Sequence, residues 1–207
     1  MKREIILKTD KIPYYLEKGK AHENWYETES EKLINLLPEF EGFPIIRCFA
    51  VTSMTTSIEA NVHLALKALC QMKNGLPFSG YLPVMQQYLY TTTTGLNVNG
   101  RKIQNFIDAL EGITDAVVVD IWMTHAFGTI QERALRGRTY YRSPSKAEYD
   151  CIENWIKAAC EISYFVEPRQ FQSMVWAGIK RDQSTISKNV TWSDLLLKKR
   201  GIFSFIN

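Results

Sequence analysis

Apolar positions recur at helical spacing over most of the chain. Ile103, Phe106, Ile107 and Leu110 fall at i, i+3, i+4 and i+7, one face of a 3.6-residue helix. Gly112 can stop that helix with a positive φ. Just before it, Asn97-Val98-Asn99-Gly100 reads as a short turn leading into the basic pair Arg101-Lys102. Leu33, Ile34, Leu36 and Leu37 predict a helix over 29–37, ended by Pro38 and Gly42. The stretch 58–72 predicts a broadly apolar central helix, with Ser57 as its cap and Asn74-Gly75 as its stop. Pro83 suits the first turn of a helix reaching Tyr90, and the β-branched run Thr91–Thr94 reads as a loop. Ser145 and Glu148 form a capping-box pattern ahead of Tyr149, Ile152, Trp155, Ile156 and Ala159. Pro168 opens another helix packed through Phe171, Met174, Val175 and Ala177, and the stretch 188–207 sets Trp192, Ser193 and Asp194 before Leu195–Leu197. Ile5–Leu7 reads as a short strand or an extended arm. The apolar run Ala116–Val119 delivers one carboxylate, Asp120, after which a helix is expected to Ala134. Strand signals are few, so the expected class is mainly α.

Composition narrows the classes. The 207 residues suit one large domain or two small lobes. With 45% apolar and 23% charged residues the chain reads as an ordinary globular protein. The net charge of +3 permits a nucleic-acid partner without arguing for one. A run of arginines (Arg133, Arg136, Arg138, Arg142), interleaved with Tyr140 and Tyr141, is either a phosphate-binding surface or a solvated basic loop. The four cysteines, Cys48, Cys70, Cys151 and Cys160, form no C-x-x-C pair, which argues against an iron–sulfur cluster. His22, His63 and His125 are too scattered for a zinc site, so neither a metal nor another cofactor is expected. Ile5–Leu7 is too short for a signal peptide, and no stretch approaches the roughly 20 apolar residues of a membrane span. A cytoplasmic monomer is expected.

The segment from Gly95 to Gly128 resembles the helix-hairpin-helix DNA glycosylases, the superfamily that includes endonuclease III. In that superfamily a hairpin of the form L-P-G-V-G-R-K opens a helix, and V-D-T-H follows at a fixed distance. Here Leu96–Lys102 aligns with the hairpin, and Val119-Asp120-Ile121-Trp122 aligns with the second motif, Asp120 standing 18 residues after Lys102. Upstream, Val51–Asn61 is similar to the family's L-S-A-Q-x-T-D-x-x-x-N helix. The similarity spans roughly residues 45–128. Val98 replaces the first hairpin glycine, Asn97 the usual proline, Met54 a gap-filling glutamine and His125 an arginine. These departures touch the DNA contacts more than the fold, and they look like the divergent branch found in phages and mobile elements.

The resemblance implies a two-lobed helical fold with a cleft between the lobes. One lobe of six-helix type would cover 45–128, with its hairpin at 96–102, and 1–44 plus 129–207 would form the second. It turns Pro44–Val51, a strand by composition, into the start of a buried helix. It implies a DNA glycosylase that flips a base out of double-stranded DNA and cleaves its N-glycosidic bond. Asp120 would stabilise the charge that develops on the sugar. Lys102 would either attack the sugar carbon through a Schiff base, adding lyase activity, or simply contact a phosphate. Val98, Asn99, Gly100 and Arg101 would present backbone amides to a phosphate at a helix start, or form only a polar turn. Met54, next to Thr55, is either a wedge in the base stack or core filler. Trp122 and His125 are base-pocket candidates or packing residues. A modified pyrimidine in phage DNA is one candidate target, which would place the protein in antiviral defence or DNA repair. A base-hypermodifying enzyme on the same scaffold and a DNA-binding module without catalysis are the alternatives.

Overall fold

The computed structural model describes residues 5–54, 56–128, 133–135, 138–140, 143–163, 166–183 and 191–203. Among these the chain is mainly helical. It divides into two compact units, each made of two chain segments. The first unit holds 1–26 and 113–187, and the second holds 27–112 and 188–207.

In the first unit, helices α1 (Ile12–Gly19), α7 (Ile121–Ala126), α8 (Lys146–Ser163) and α9 (Pro168–Gln183) share one core. α1 and α9 are pressed together so closely that a methyl group on Gly19 would overlap the Met174 carbonyl, and one on Gly178 the Tyr15 carbonyl. Glycine therefore sets the approach of the two helices. Val117, Val119, Met123 and Phe127 join Ile152, Ile156, Val175 and Ile179 in the buried cluster. The Tyr149 hydroxyl donates to the Val117 carbonyl at 2.8 Å, and the Arg169 backbone N–H to the Thr114 carbonyl at 3.2 Å. The extended segment leading to Asp120 is thus tied to both α8 and α9. A short ribbon, β1 (Arg133–Leu135) paired antiparallel with β2 (Arg138–Tyr140), precedes α8.

In the second unit, α3 (Ile45–Thr52) is buried along nearly its whole length and packs against α4 (Ile58–Lys73), α5 (Pro83–Thr93) and α6 (Arg101–Leu110). Its mostly apolar sequence fits that surrounded position. α2 runs from Trp25 to Leu36, and α10 (Trp192–Phe203) closes the unit: the Trp192 ring lies 5.4 Å from Phe49 and 5.8 Å from Phe106. The buried carboxylate of Glu29 accepts from the Ser193 N–H and hydroxyl, both at 2.8 Å, fixing α10 to α2. Cys48 and Cys160 are buried, and burial pushes their thiols up to about 12 and about 11.

Several sequence expectations hold. The Pro44–Val51 stretch is helical. Ser57 caps α4 by accepting from the Ala60 N–H at 3.2 Å, and the Ser145–Glu148 box forms with bonds of 2.8 and 3.3 Å. Others need correction. The helix after Asp120 ends at Ala126, and Gly128 turns the chain with a φ of 61°. Residues 133–135 and 138–140 are strands rather than helix or loop. Thr91–Thr93 continue α5, their hydroxyls returning to carbonyls three or four residues back. A helix absent from the sequence reading, α1, fills 12–19, and α2 begins at Trp25 rather than Glu29. The division of the chain also differs from the expected 45–128 lobe. Residues 27–44 group with the second unit, and 113–128 belong to the first, where Val117, Val119, Met123, Ala126 and Phe127 are core. No helix among the described residues is long and apolar enough to cross a membrane.

Candidate functional site

The first unit carries the carboxylate. The Val117–Val119 run is buried and extended, so it delivers Asp120 at the edge of a packed core. Asp120 has extended φ and ψ and is the N-cap of α7. Its Oδ1 accepts from the Trp122 and Met123 N–H groups at 2.9 and 3.1 Å, and its Oδ2 accepts from the indole Nε1–H of Trp176 at 3.0 Å. The carboxylate is half-buried and fixed at both oxygens by three N–H donors.

Aromatic rings gather around it. Trp176 lies 6.1 Å from Trp25 between ring centroids, and Trp122 lies 6.3 Å from His125, with all four half-buried. Tyr26 is fully enclosed and donates its hydroxyl to Gln172 Oε1. Burial, with the charge of Asp120 adding to it, holds the Tyr26 hydroxyl well above its ordinary range. The ammonium of Lys180 sits over the Trp176 ring, 4.0 Å from its centroid. Burial lowers this lysine from its ordinary value, while Asp120 opposes the shift.

The second unit carries the turn. α5 and α6 are joined through 94–100, where Gly95 has a φ of 71°. Val98 is buried, and its N–H donates to Gln104 Oε1 at 2.7 Å, so α6 anchors the turn that precedes it. The Asn99 carbonyl accepts from the Tyr88 hydroxyl at 2.9 Å. Gly100 is the N-cap of α6, and among the described residues no side chain caps it. A Cβ on Gly100 would stand 2.5 Å from the Tyr88 hydroxyl, so the glycine makes room for the tyrosine of α5. Arg101 and Lys102 are exposed in the first turn of α6.

The structure therefore groups Asp120 with Trp122 and His125 in the first unit, and Val98, Asn99, Gly100, Arg101 and Lys102 in the second. Met54 is half-buried in the turn after α3, in the second unit. Thr55, Arg136, Tyr141 and Arg142 lie outside the described residues. Arg133, Arg138 and Tyr140 lie on the two strands of the ribbon. Sequence reasoning missed Trp25, Tyr26, Trp176 and Lys180. The available signal was Trp176 and Lys180 at i and i+4, which places them side by side on one helix face. Among the described residues no group of three or more acidic, histidine or cysteine side chains is arranged to hold a metal ion.

No protein-family model matches the chain, and neither a curated protein nor a solved structure matches it.

Proposed function

We propose that the protein is a DNA glycosylase that removes a base by cleaving its N-glycosidic bond, with Asp120 as the catalytic carboxylate. One observation carries the reading: Asp120 ends a buried extended segment and is held at both oxygens by Trp122, Met123 and Trp176. A carboxylate held so rigidly suits stabilisation of positive charge on a sugar, because it needs no rearrangement as the charge develops. In the reaction water adds to C1′ of the deoxyribose, the bond to the base breaks, and the base leaves with a proton. The half-buried rings of Trp25, Trp122 and Trp176 offer faces on which an extruded base can stack. The turn ending at Gly100, with Arg101 and Lys102 beyond it, suits a backbone phosphate. The resemblance to the helix-hairpin-helix glycosylases points to the same chemistry.

The experiment is release of base from duplex DNA, scored as abasic sites on unmodified, uracil-containing, alkylated and hypermodified phage DNA, beside Asp120→Asn. The asparagine keeps an acceptor for the Trp122 and Met123 N–H groups, so it preserves the cap of α7. Abasic sites on one substrate, reduced by about 10² or more in the variant, support the reading. Equal activity in the variant, or no abasic sites on any substrate, overturns it.

A second reading, DNA binding without catalysis, draws on the same three bonds, since they are also what a structural cap makes. It predicts salt-dependent binding to DNA that Asp120→Asn leaves intact.

A further inference from the structure

Lys180, Arg181 and Asp182 follow one another near the end of α9, and the first is held differently from the other two. Arg181 Nη1 donates to the Lys18 carbonyl at 2.6 Å, and Asp182 Oδ1 accepts from the Tyr14 hydroxyl at 2.9 Å and from Lys18 Nζ at 3.3 Å, so both are tied to α1. Lys180 Nζ stands instead 4.0 Å from the centroid of the Trp176 ring, and among the described residues it donates to no oxygen and pairs with no carboxylate. It is nevertheless half-buried. An ammonium in that position has exchanged part of its hydration for a ring face alone. Its three N–H groups remain available to a ligand.

We propose that the charged Lys180 is a second catalytic residue of the Asp120 site, whose ammonium donates to a carbonyl oxygen of the base as that base departs as an anion. This rests on the glycosylase reading and supplies the ligand chemistry of its other half, a planar heterocyclic anion. Breaking the N-glycosidic bond separates charge, leaving the sugar positive and the base negative. One indole of the first unit holds a counter-charge for each. The Trp176 Nε1–H is bonded to Asp120 Oδ2 at 3.0 Å, so the carboxylate stands at the edge of the ring and the ammonium on its face. The ring face favours the charged, donating form of the lysine. Asp120 favours that form as well, and burial acts against it. Half-burial also strengthens the pull on an anion, because less water screens the charge.

The step balances without a co-reactant. The electron pair of the bond between C1′ and the base nitrogen leaves with the base, and the negative oxygen of the base accepts from Lys180 Nζ. Water adds to C1′ and gives up a proton, and that proton neutralises the base once it is released. Lys180 ends the cycle with the protons it began with, and it forms no bond to the sugar.

The test measures binding of free bases, so it does not depend on which base this protein excises from DNA. The full chain is dialysed to equilibrium at neutral pH against uracil, which is uncharged, and against 5-nitrouracil, whose ring is an anion. The parent protein should bind the anion roughly tenfold more tightly or better, the range of one charge-assisted hydrogen bond. Lys180→Gln removes the charge and keeps a donor, and Lys180→Met keeps only the packing against Trp176. Both should lose most of the preference, and whatever remains in them is what the nitro group itself contributes. Lys180→Arg should retain it, which a role in packing alone would not require. Melting temperatures close to that of the parent show that each variant is folded. Equal binding of the two bases by the parent, binding of neither, or a full preference in Lys180→Gln or Lys180→Met overturns the inference. Base release in the preceding assay without the anion preference here overturns this inference alone. An anion preference without base release on any DNA overturns the glycosylase reading, and with it the role in base departure, while the anion site at Lys180 stands.

Discussion

Two helix starts carry the candidate chemistry, and they are built in opposite ways. α7 begins with a carboxylate that closes on its own backbone, since Asp120 accepts from Trp122 and Met123 and is braced by Trp176. α6 begins with Gly100, which has no side chain to close on anything, and with two exposed cations. The first start spends its amides internally and so fixes a negative group in place. The second has a half-buried glycine turned toward Tyr88 and exposed positive charge just beyond it, the arrangement that suits an external anion. Their supports differ as well. The brace of Asp120 sits on α9, whose approach to α1 is limited by backbone atoms on both sides, whereas the room around Gly100 is limited by the end of one side chain, the hydroxyl and nearby ring atoms of Tyr88. Backbone cannot give way, but the end of a side chain can.

The sharpest way to break this contrast is Gly178→Ala. The new methyl group overlaps the Tyr15 carbonyl, so α9 must shift away from α1 and carry Trp176 with it. The expected loss is about 3 kcal/mol, the upper end for overpacking, read as a lower urea midpoint. Indole fluorescence should change as well, because Trp176 leaves Asp120. A midpoint equal to that of the parent protein would show that the crossing tolerates a side chain.

Gly100→Ala should cost less, about 1–2 kcal/mol, because the Cβ meets only the hydroxyl and nearby ring atoms of Tyr88. Adding Tyr88→Phe removes the nearest of those atoms. The double variant should therefore be more stable than the sum of the two single losses, although Tyr88→Phe also gives up the bond to the Asn99 carbonyl. Strict additivity in a double-mutant cycle would remove the steric account of this glycine.

The smallest effect concerns pH and only the first unit. Burial, with Arg181 adding to it, lowers His22 from its ordinary value of 6.5. The unfolded chain then binds a proton more readily than the folded one, so stability is full above 6.5 and falls as the pH drops through the lowered folded value. His22→Gln should flatten the decline of the melting temperature between neutral and mildly acidic pH. An unchanged decline would assign it to other groups.

Local signals were legible in the sequence. The cap at Ser57, the box at Ser145 and Glu148 and the glycine stop at Gly112 each depend on a few neighbouring residues, and each appears in the structure. Helix α1 was hidden for a physical reason. Its buried positions are Ile12, Tyr15 and Gly19, at helical spacing, but one of them is a glycine whose value lies in having no side chain. The ribbon was legible in retrospect, since two short runs separated by a pair of residues containing Gly137 fit a hairpin. Its many arginines drew attention to charge instead. Of the surroundings of Asp120, the neighbouring Trp122 and His125 and the i, i+4 pair Trp176 and Lys180 left a trace in the sequence, but the meeting of Trp176 and Trp25 with Asp120 did not. Trp176 lies 56 residues further along, Trp25 comes from the start of α2, and no motif joins them. Long-range packing brought them together, and packing of that kind leaves no local pattern.

The discontinuous make-up of both units bears on how the chain acquires its structure during synthesis. α1 leaves the ribosome roughly 150 residues ahead of its partner α9, a delay on the order of ten seconds or more at typical elongation rates. Until then the backbone-tight face around Gly19 has nothing to press against. The second unit has most of its core in one continuous stretch, α3 to α6, and waits only for α10 to bring Trp192 between Phe49 and Phe106. Most of unit two therefore has the means to take shape early, from one continuous stretch, whereas the packing that holds Asp120 and Trp176 in unit one waits for α9 to return to α1.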